Sequence, residues 1–356
     1  MRAVTFQHGG DTEAFRQEYG GDILDFSANC NPLGMPESAS AAAVEAVCRH
    51  TGYPDPFCRA LRAAIARQEG LLPGQVLCGN GAADLIFRLA LAVRPRRALL
   101  AVPCFSEYEA ALQTVGCAVE YVYLREEHGF ALTEAFLQAL TPEIDMVFLC
   151  SPNNPTGRCI EEALFEQIRL RCEENQIVLV LDACFAEFLP VPPRGLPPGQ
   201  SVVVLKAFTK FYAMAGLRLG YALSRNEELL QKIADCGQPW SVSAPAQAAG
   251  IAALSDEAYA EATRTLIAKE RDFLQQGLRC LGATVYDSQA NYVFFRAAPE
   301  WGGALRRQGI FLRDCANYRG LTPGYYRAAV RTRQENERLL AAIQQYGRGH
   351  TPWQKP

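Results

Sequence analysis

The sequence Lys206-Ala-Phe-Thr-Lys210-Phe-Tyr-Ala-Met-Ala-Gly-Leu-Arg218 follows directly on the apolar run Ser201-Val-Val-Val-Leu205. A short, continuous apolar run of this kind is typical of a buried strand. Lys210 therefore comes just past a strand, among hydrophobic neighbours that disfavour its ammonium form. A neutral amine is a nucleophile that can bond covalently to a carbonyl compound. Taken alone, the pattern also fits an ordinary surface lysine, so its interpretation depends on the rest of the chain.

Two motifs lie upstream of the lysine, each after another apolar run. The first is Ser151-Pro-Asn-Asn154-Pro-Thr-Gly157, which follows Met146-Val-Phe-Leu-Cys150. The second is Asp182, which ends the run Ile177-Val-Leu-Val-Leu181. Equal gaps separate Asn154 from Asp182 and Asp182 from Lys210, and their length suits strand–crossover–strand connections. Because ligands of open α/β sheets bind beyond the carboxyl ends of the strands, we expect the three side chains on one rim.

These three residue types are the ones that pyridoxal 5'-phosphate (PLP) requires. A lysine bonds the cofactor, and a carboxylate facing the pyridine nitrogen keeps that nitrogen protonated. A side-chain amide can donate a hydrogen bond to the ring 3-oxygen, and Asn154 is placed to do so. Singly, Asp182 also fits a helix N-cap and the Asn154 motif an ordinary turn. The ordered set favours a PLP site.

With these motifs, nearly the whole chain resembles the fold-type I PLP enzymes of the class I/II aminotransferase superfamily. The resemblance implies an α/β fold: a large domain with a mostly parallel mixed sheet covered by helices, and a smaller α+β C-terminal domain. It also implies that Lys210 bonds PLP, that Asp182 faces the pyridine nitrogen, and that Asn154 binds the 3-oxygen. The further cofactor contacts that it implies are Gly81, Ala82, Ala83 and Arg218 at the phosphate, Phe105 stacked on the ring, and Tyr53 reaching the phosphate of a neighbouring subunit.

The sequence departs from the superfamily pattern at two positions. Phe185 stands where many aminotransferases have a tyrosine that touches the 3-oxygen. Ala207 replaces a common serine that helps to hold the phosphate, and Thr209 is expected to compensate in part. We expect a somewhat lower cofactor affinity from these changes, without loss of catalysis.

Composition limits the other possibilities. The 356 residues, 49% of them hydrophobic, suffice for one large and one smaller domain, and a net charge of −3 implies no nucleic-acid partner. The 13 cysteines include no CxxC pair, which is typical of reduced thiols in the cytoplasm. With four histidines, none of them spaced with a cysteine pair, we expect no metal site. No apolar stretch is long enough to predict a transmembrane helix.

Strand and helix signals alternate along the first two thirds of the chain. This alternation predicts a mostly parallel sheet covered by helices, and after Ser224 the pattern changes to an α+β module, in which Ile310–Arg313 is predicted as one strand. We predict residues 36–240 as the PLP-binding domain and 241–347 as the small domain. Residues 1–35, read as irregular, are predicted as an arm that joins the small domain, and 348–356 as a tail.

Three further features indicate the substrate. They are His8-Gly-Gly10 with Ser27-Ala-Asn-Cys-Asn31, then Gln238-Pro-Trp240-Ser-Val-Ser243, and last Arg313 with Arg327 on neighbouring strand ends. Arginine binds carboxylate and phosphate in a bidentate manner, so two arginines could hold a substrate with both groups. Together with Phe185, these features resemble the L-threonine O-phosphate decarboxylases of cobalamin biosynthesis. The resemblance implies that Arg327 binds the α-carboxylate, and it implies phosphate-side contacts from His8, Gly9, Asn31 and Arg313.

Several activities stay open at this level. The leading prediction is decarboxylation of L-threonine O-3-phosphate to (R)-1-amino-2-propanol O-phosphate by a homodimer with shared active sites. The alternative is an aminotransferase of the histidinol-phosphate type, because which bond at Cα breaks depends on a bound geometry that the sequence does not report. A serine-phosphate decarboxylase differs by one substrate methyl group, a difference that a pocket discriminates only weakly. A non-catalytic PLP-binding protein is disfavoured by the intact Lys210, Asp182 and Asn154.

Overall fold

The computed structural model describes residues 9–49 and 51–349. The strands are β1 (Leu24–Asp25), β2 (Val76–Gly79), β3 (Arg97–Val102), β4 (Ala118–Tyr123), β5 (Met146–Cys150), β6 (Val178–Asp182), β7 (Val202–Ala207), β8 (Gly220–Ser224), β9 (Thr284–Val285), β10 (Tyr292–Arg296), β11 (Ile310–Phe311), β12 (Arg313–Asp314) and β13 (Tyr325–Ala329).

The helices alternate with the strands through much of the chain. They are α1 (Thr12–Tyr19), α2 (Glu37–Arg49), α3 (Arg59–Glu69), α4 (Ala82–Val93), α5 (Glu107–Thr114), α6 (Ala135–Ala139), α7 (Glu162–Glu174), α8 (Phe208–Phe211), α9 (Glu227–Asp235), α10 (Ala244–Leu254), α11 (Glu257–Cys280), α12 (Trp301–Arg306) and α13 (Arg333–Gly349). Short 3₁₀ turns occur at Pro73–Gln75, Glu126–His128 and Ala186–Phe188.

A seven-stranded sheet in the order β2-β8-β7-β6-β5-β3-β4 forms the centre of the large module. Strands β7, β6, β5, β3 and β4 run parallel, whereas β8 is antiparallel to both of its neighbours. Cys150 is paired with Asp182, and Asp182 with Leu205, so β5, β6 and β7 end side by side. This register brings the segments that follow the three strands to one rim.

Apolar side chains cover both faces of the sheet, which is why its central strands read as continuous hydrophobic runs. On one face, Leu100 and Val180 pack in a cluster with residues of α4, α5 and α9. On the other face, Leu99 and Leu179 pack with residues of α3, α7 and α11. Every residue of β5 and of β7 is buried. The predicted α/β sheet covered by helices is confirmed.

A second, antiparallel sheet in the order β12-β13-β10-β9 forms the smaller module, and α11 and α13 pack against each other beside it. The first described residues join this module, because β1 pairs in parallel with β11. Glu126 links the modules: its carboxylate accepts hydrogen bonds from the hydroxyls of Tyr286, at 2.5 Å, and Tyr325, at 2.7 Å. The division at residue 240 stays a prediction.

Two local predictions differ from the structure. Part of the arm predicted as irregular is helix α1, whose N-cap Asp11 accepts a hydrogen bond from the amide of Ala14. The single strand expected near Ile310–Arg313 is two strands that change partner at the buried Leu312, because β11 pairs with β1 whereas β12 pairs with β13. The sequence pattern predicted the extended backbone of this segment but not the strands with which it pairs.

Candidate active site

A cavity opens at the carboxyl ends of β5, β6 and β7, where the sequence placed the site. Its lining contains eleven of the predicted site residues: Gly9, Ala82, Ala83, Phe105, Asn154, Asp182, Thr209, Lys210, Arg218, Arg313 and Arg327. Phe185 and Ala207, the two departures from the superfamily pattern, line it as well. The structure thus brings together most of the residues that sequence reasoning selected from distant parts of the chain.

Lys210 lies in the short helix α8, three residues past the end of β7. Burial lowers the pKa of its amine, and the positive charges of Arg327 and Arg218 lower it further, against an opposing effect of the Cys30 and Cys184 thiols. The backbone is fixed, since the Lys210 carbonyl accepts a hydrogen bond from the amide of Asn31 at 3.0 Å. A larger fraction of neutral amine at neutral pH is what a nucleophilic lysine requires.

Asp182 is buried at the end of β6 and is held by two hydrogen bonds. The hydroxyl of Tyr108 donates to its Oδ2 atom at 2.5 Å, and the amide of Cys184 donates to Oδ1 at 2.9 Å. Burial and the neighbouring Asp182 charge raise the pKa of the Tyr108 hydroxyl, so it stays a donor. The carboxylate is therefore presented to the cavity in a fixed orientation.

Asn154 and Arg327 are directly connected. A guanidinium nitrogen of Arg327 donates to Asn154 Oδ1, and the other terminal nitrogen donates to the Ser27 carbonyl at 2.8 Å. The hydroxyl of Tyr318 also reaches Asn154 Oδ1, at 3.4 Å. Because these donors occupy the amide oxygen, the amide nitrogen is left to donate elsewhere. Arg327 is itself buried, and its Nε atom has no hydrogen-bond partner among the described residues.

The turn before α4 forms a compact cradle for an anion. Gly81 is the N-cap residue of α4 and has a φ of 85°, and a Cβ atom there would lie 2.8 Å from Nη2 of Arg218. A Cβ on Gly220 would lie 2.6 Å from the amide nitrogen of Ala82. The first amides of the helix and the Arg218 guanidinium thus approach one another closely, and helix N-termini bind anions.

The aromatic and N-terminal walls complete the cavity. Phe105 lines it and meets Tyr108 edge to face, with ring centroids 5.7 Å apart. Phe185 packs edge to face on the ring of Tyr292, with centroids 5.0 Å apart. Gly9 lines the cavity so close to the Ser27 carbonyl that a side chain would overlap it. A flat ring between aromatic and aliphatic walls fits this shape.

Four predicted site residues are not in the cavity lining. His8 lies outside the described residues. Gly81 lies against the Arg218 guanidinium, and its lack of a side chain lets that guanidinium approach the start of α4. Asn31 is buried, and its amide nitrogen donates to Phe211 O, Tyr259 Oη and Thr263 Oγ1, each at 2.8 Å. Tyr53 is 79% exposed and stacks on the ring of Trp240, with centroids 4.6 Å apart.

Sequence reasoning missed two tyrosines at the site. Tyr108 holds Asp182, and the signal for it was present, because it lies one helical turn beyond Phe105 on α5. Tyr318 lines the cavity from the segment between β12 and β13. Nothing in the local pattern distinguishes Tyr318 from a core tyrosine, since its two neighbours, Asn154 and Arg313, are defined only by the tertiary structure.

Two other kinds of feature are absent from the described ranges. Across residues 9–49 and 51–349, no three histidine, cysteine, aspartate or glutamate side chains come together in a way that could hold a metal ion. In the same ranges, no helix is both long enough and apolar enough to span a membrane.

Comparison with known proteins agrees with this geometry. The family model described as aminotransferase class I and II matches residues 21–343. A threonine-phosphate decarboxylase from Salmonella typhimurium is 40% identical over 99% of this chain and 100% of its own length. A histidinol-phosphate aminotransferase from Anaeromyxobacter sp. is 35% identical over 94% of each chain. The crystal structure of the histidinol-phosphate aminotransferase from Clostridium acetobutylicum superimposes with a TM-score of 0.86 at 28% identity, covering 91% of this chain and 99% of that one.

Proposed function

Because the chain belongs to the aminotransferase class I and II family, we propose that it is a PLP-dependent enzyme that decarboxylates L-threonine O-3-phosphate. The products are (R)-1-amino-2-propanol O-phosphate and CO₂, and the reaction serves cobalamin biosynthesis. One observation carries the proposal: Arg313 and Arg327 line the same cavity as Lys210. Two guanidinium groups near one nucleophilic amine suit a substrate that carries both a phosphate and a carboxylate. The 40% identity to the Salmonella typhimurium decarboxylase supports the same choice.

The residues present fit PLP. Arg218 and the first amides of α4 form an anion cradle that a side chain on Gly81 would fill. Asp182, held by Tyr108, would face the pyridine nitrogen. The side-chain oxygen of Asn154 accepts from Arg327, so its side-chain nitrogen would donate to the 3-oxygen. When bound, PLP supplies an electron sink that accepts the electron pair released when a bond to the substrate Cα breaks.

The protein's own groups then determine which bond breaks. We infer that Arg327 binds the substrate carboxylate and so holds the Cα–carboxylate bond in the reactive orientation. Arg327 is buried and lines the cavity, so a carboxylate bound there would meet a positive charge that is poorly screened by water. Arg313 would bind the phosphate at the other end of the substrate, which fixes the substrate along the cavity. The Lys210 amine, with its lowered pKa, would return a proton to Cα after CO₂ has left.

We further propose that the active unit is a homodimer in the cytoplasm. Tyr53 is exposed and turned onto Trp240 rather than into the cavity of its own chain, which suits a residue that completes a neighbour's site. The exposed side chains of Val44, Val47 and Phe57 lie on α2 and in the segment before α3, close to Tyr53 in the chain. An apolar surface of this kind is typical of an interface between subunits.

An aminotransferase of the histidinol-phosphate type is the second candidate. It is supported by the 35% identity to the Anaeromyxobacter sp. enzyme and by the same cavity, where Arg313 would also bind the phosphate of a phosphorylated amine. The two reactions differ in whether the carboxylate or the α-hydrogen is held in the reactive orientation. Arg327, which Asn154 and Ser27 fix at the cavity wall, favours the first candidate, because L-threonine O-phosphate has a carboxylate for it to bind whereas histidinol phosphate has none.

The deciding experiment uses PLP-loaded protein with L-threonine O-phosphate and no keto acid. We expect CO₂ and aminopropanol phosphate in equal amounts, and we expect Lys210→Ala to lower the rate at least about 10³-fold, because the nucleophile and the proton donor are lost together. If CO₂ is not released, and histidinol phosphate turns over only when 2-oxoglutarate is added, the protein is an aminotransferase. The exposed Lys232→Ala variant is the matched control and should retain full activity.

A further inference from the structure

One segment of the small module is attached to the large module beside the cavity. Residues 315–324, called the strap below, connect β12 to β13 of the four-stranded sheet. Tyr318, in its middle, lines the cavity, whereas the next residue, Arg319, forms an ion pair with Glu109 of α5 at 2.8 Å. The strap is therefore fixed at both ends by one sheet and in its middle by the helix beside the other.

The strap supplies the contacts that position Arg313. The Arg313 guanidinium lies over the ring of Tyr318, with 5.1 Å between its central carbon and the ring centroid. One terminal nitrogen donates to the Asp314 carbonyl at 2.7 Å, and the other donates to Asn317 Oδ1 at 2.8 Å. Two of these three groups, Asn317 and Tyr318, belong to the strap. Its conformation thus sets where the guanidinium points.

Tyr318 also reaches the cofactor side of the cavity. Its hydroxyl lies 3.4 Å from Oδ1 of Asn154, the atom that also accepts from Arg327. At that distance the hydrogen bond is weak, so the ring face under Arg313 is the larger contribution of Tyr318. The Tyr318 side chain therefore contacts both Arg313, expected at the substrate phosphate, and Asn154, expected at the cofactor.

Arg319 fixes the strap through more than a surface ion pair. Its guanidinium stacks 4.1 Å above the ring of Tyr121 on β4, and the Tyr121 hydroxyl donates to the same Glu109 oxygen at 2.8 Å. An exposed ion pair by itself contributes little, because water screens it and the side chains lose entropy. A guanidinium that is both stacked on an aromatic ring and paired has fewer conformations to lose, which makes the contact geometrically specific.

We propose that Tyr318 is the specificity-determining residue that positions Arg313 for the substrate phosphate, and that the Arg319–Glu109–Tyr121 contact holds Tyr318 in place. The inference rests on the proposed function, because that proposal assigns the phosphate to Arg313. Its physical basis is preorganisation: a guanidinium already lying on a ring loses less conformational entropy when it binds an anion. Tyr318 acts through Arg313 and is a positioning residue, so its loss should weaken recognition of the phosphate selectively.

The test measures binding of two probes to the PLP-loaded protein by the change in cofactor absorbance. The probes are L-threonine O-phosphate and L-threonine, which differ only in the phosphate. We expect Tyr318→Leu to raise the Kd for L-threonine O-phosphate about tenfold and to leave that for L-threonine nearly unchanged, because the lost cation–π contact acts on the phosphate arginine and the lost hydrogen bond to Asn154 is a weak one. Tyr318→Phe keeps the ring and should raise the first Kd only about twofold.

Variants of the strap contact provide a second test that leaves the cavity lining intact. Arg319→Gln should raise the Kd for L-threonine O-phosphate about threefold, and Arg319→Lys should recover part of the loss, because lysine retains the charge for Glu109 but not the planar stacking on Tyr121. The matched control is Arg97→Gln, which removes an exposed ion pair at 2.9 Å with Glu120, a residue of β4 like Tyr121. This change should leave both dissociation constants as they are.

The outcomes separate this inference from the proposed function. Equal losses for both probes in Tyr318→Leu, or no loss in a variant with an unchanged Tm, would overturn the role of Tyr318. If Tyr318→Leu does not fold, the Arg319→Gln and Arg319→Lys pair decides the question in the same way. If the wild-type protein releases no CO₂ but the variants still lose affinity for L-threonine O-phosphate selectively, the decarboxylation is contradicted and the role of Tyr318 is upheld.

Discussion

Lys206 and Lys210 stand four residues apart in one stretch of chain, yet their surroundings are opposite. Lys206, on β7, is buried and donates hydrogen bonds to Glu69 at 2.8 Å, Glu187 at 3.2 Å and the carbonyl of Pro193 at 3.1 Å. Lys210 has no hydrogen bond or ion pair from its amine to a described residue, and burial, together with the positive charges of Arg327 and Arg218, lowers the pKa of that amine against the opposing effect of the Cys30 and Cys184 thiols. One lysine is compensated for stability, and the other is left uncompensated for chemistry.

Lys206 belongs to a charge-balanced group of four side chains, Lys206, Arg194, Glu69 and Glu187, called the compensated cluster below. Arg194 joins it through two hydrogen bonds to Glu187, so two cations face two carboxylates, and the Tyr221 hydroxyl donates to Glu69 at 3.0 Å. Burial alone would raise the pKa of Glu187, but the hydrogen bonds and positive charges of Arg194 and Lys206 outweigh it and lower that pKa. The carboxylate therefore stabilises the fold above its unfolded pKa, and this contribution is lost as the pH falls through the lower, folded value.

The largest expected effect in this comparison comes from removing the compensated lysine. We expect Lys206→Met to lower the free energy of unfolding by about 3–5 kcal/mol, because it leaves two buried carboxylates with only Arg194 as a charged partner. Urea unfolding of the cofactor-free protein at pH 7 measures the change. Lys232→Met, at an exposed lysine paired with Glu228, is the control and should unfold like the wild type. A loss below about 1 kcal/mol in Lys206→Met would mean that the cluster does not stabilise the fold.

Removing Lys210, the uncompensated lysine, should raise the stability of the fold rather than lower it. In the cofactor-free protein we expect Lys210→Met to raise the urea midpoint at pH 7, because the folded state no longer holds a buried amine that resists protonation. The lowered pKa means that the unfolded chain binds a proton more readily than the folded one, so the wild type gains stability as the pH rises toward 10.5. The advantage of Lys210→Met should therefore shrink between neutral pH and pH 10.5. An advantage that is absent at pH 7, or that does not change with pH, would contradict the uncompensated state of Lys210.

The same comparison shows what the sequence could predict. Strands β5, β6 and β7 were predicted because a buried parallel strand is a local apolar run, and their common rim placed Asn154, Asp182 and Lys210 together. The different roles of the two lysines, Lys206 in stability and Lys210 in chemistry, were not predicted, because Glu69 lies 137 residues before Lys206 in the chain. Partners at such a distance are chosen by tertiary packing, which leaves no periodic pattern in the sequence.

Other elements were missed for related reasons. Strand β2 ends and strand β8 begins with a glycine, and both are defined by pairing, β2 with β8 and β8 also with β7. Helix α10 is rich in alanine and lacks a polar face, since it packs against both α2 and α3. Local chemistry thus predicted the cofactor side of the site, whereas Tyr108 and Tyr318, which hold its residues in position, became visible only in the fold.

The smallest effect is expected at the edge of the compensated cluster. Tyr221→Phe removes one hydroxyl that donates to a Glu69 oxygen but leaves Lys206 bound to that same atom. We expect a loss of about 1.5 kcal/mol in the free energy of unfolding, which is typical of one buried hydrogen bond to a charged acceptor. In a double-mutant cycle with Lys206→Met the two losses should not add, because both donors serve one carboxylate. Strict additivity would mean that Glu69 is not shared between them, and the cluster would then be separate pairs rather than one network.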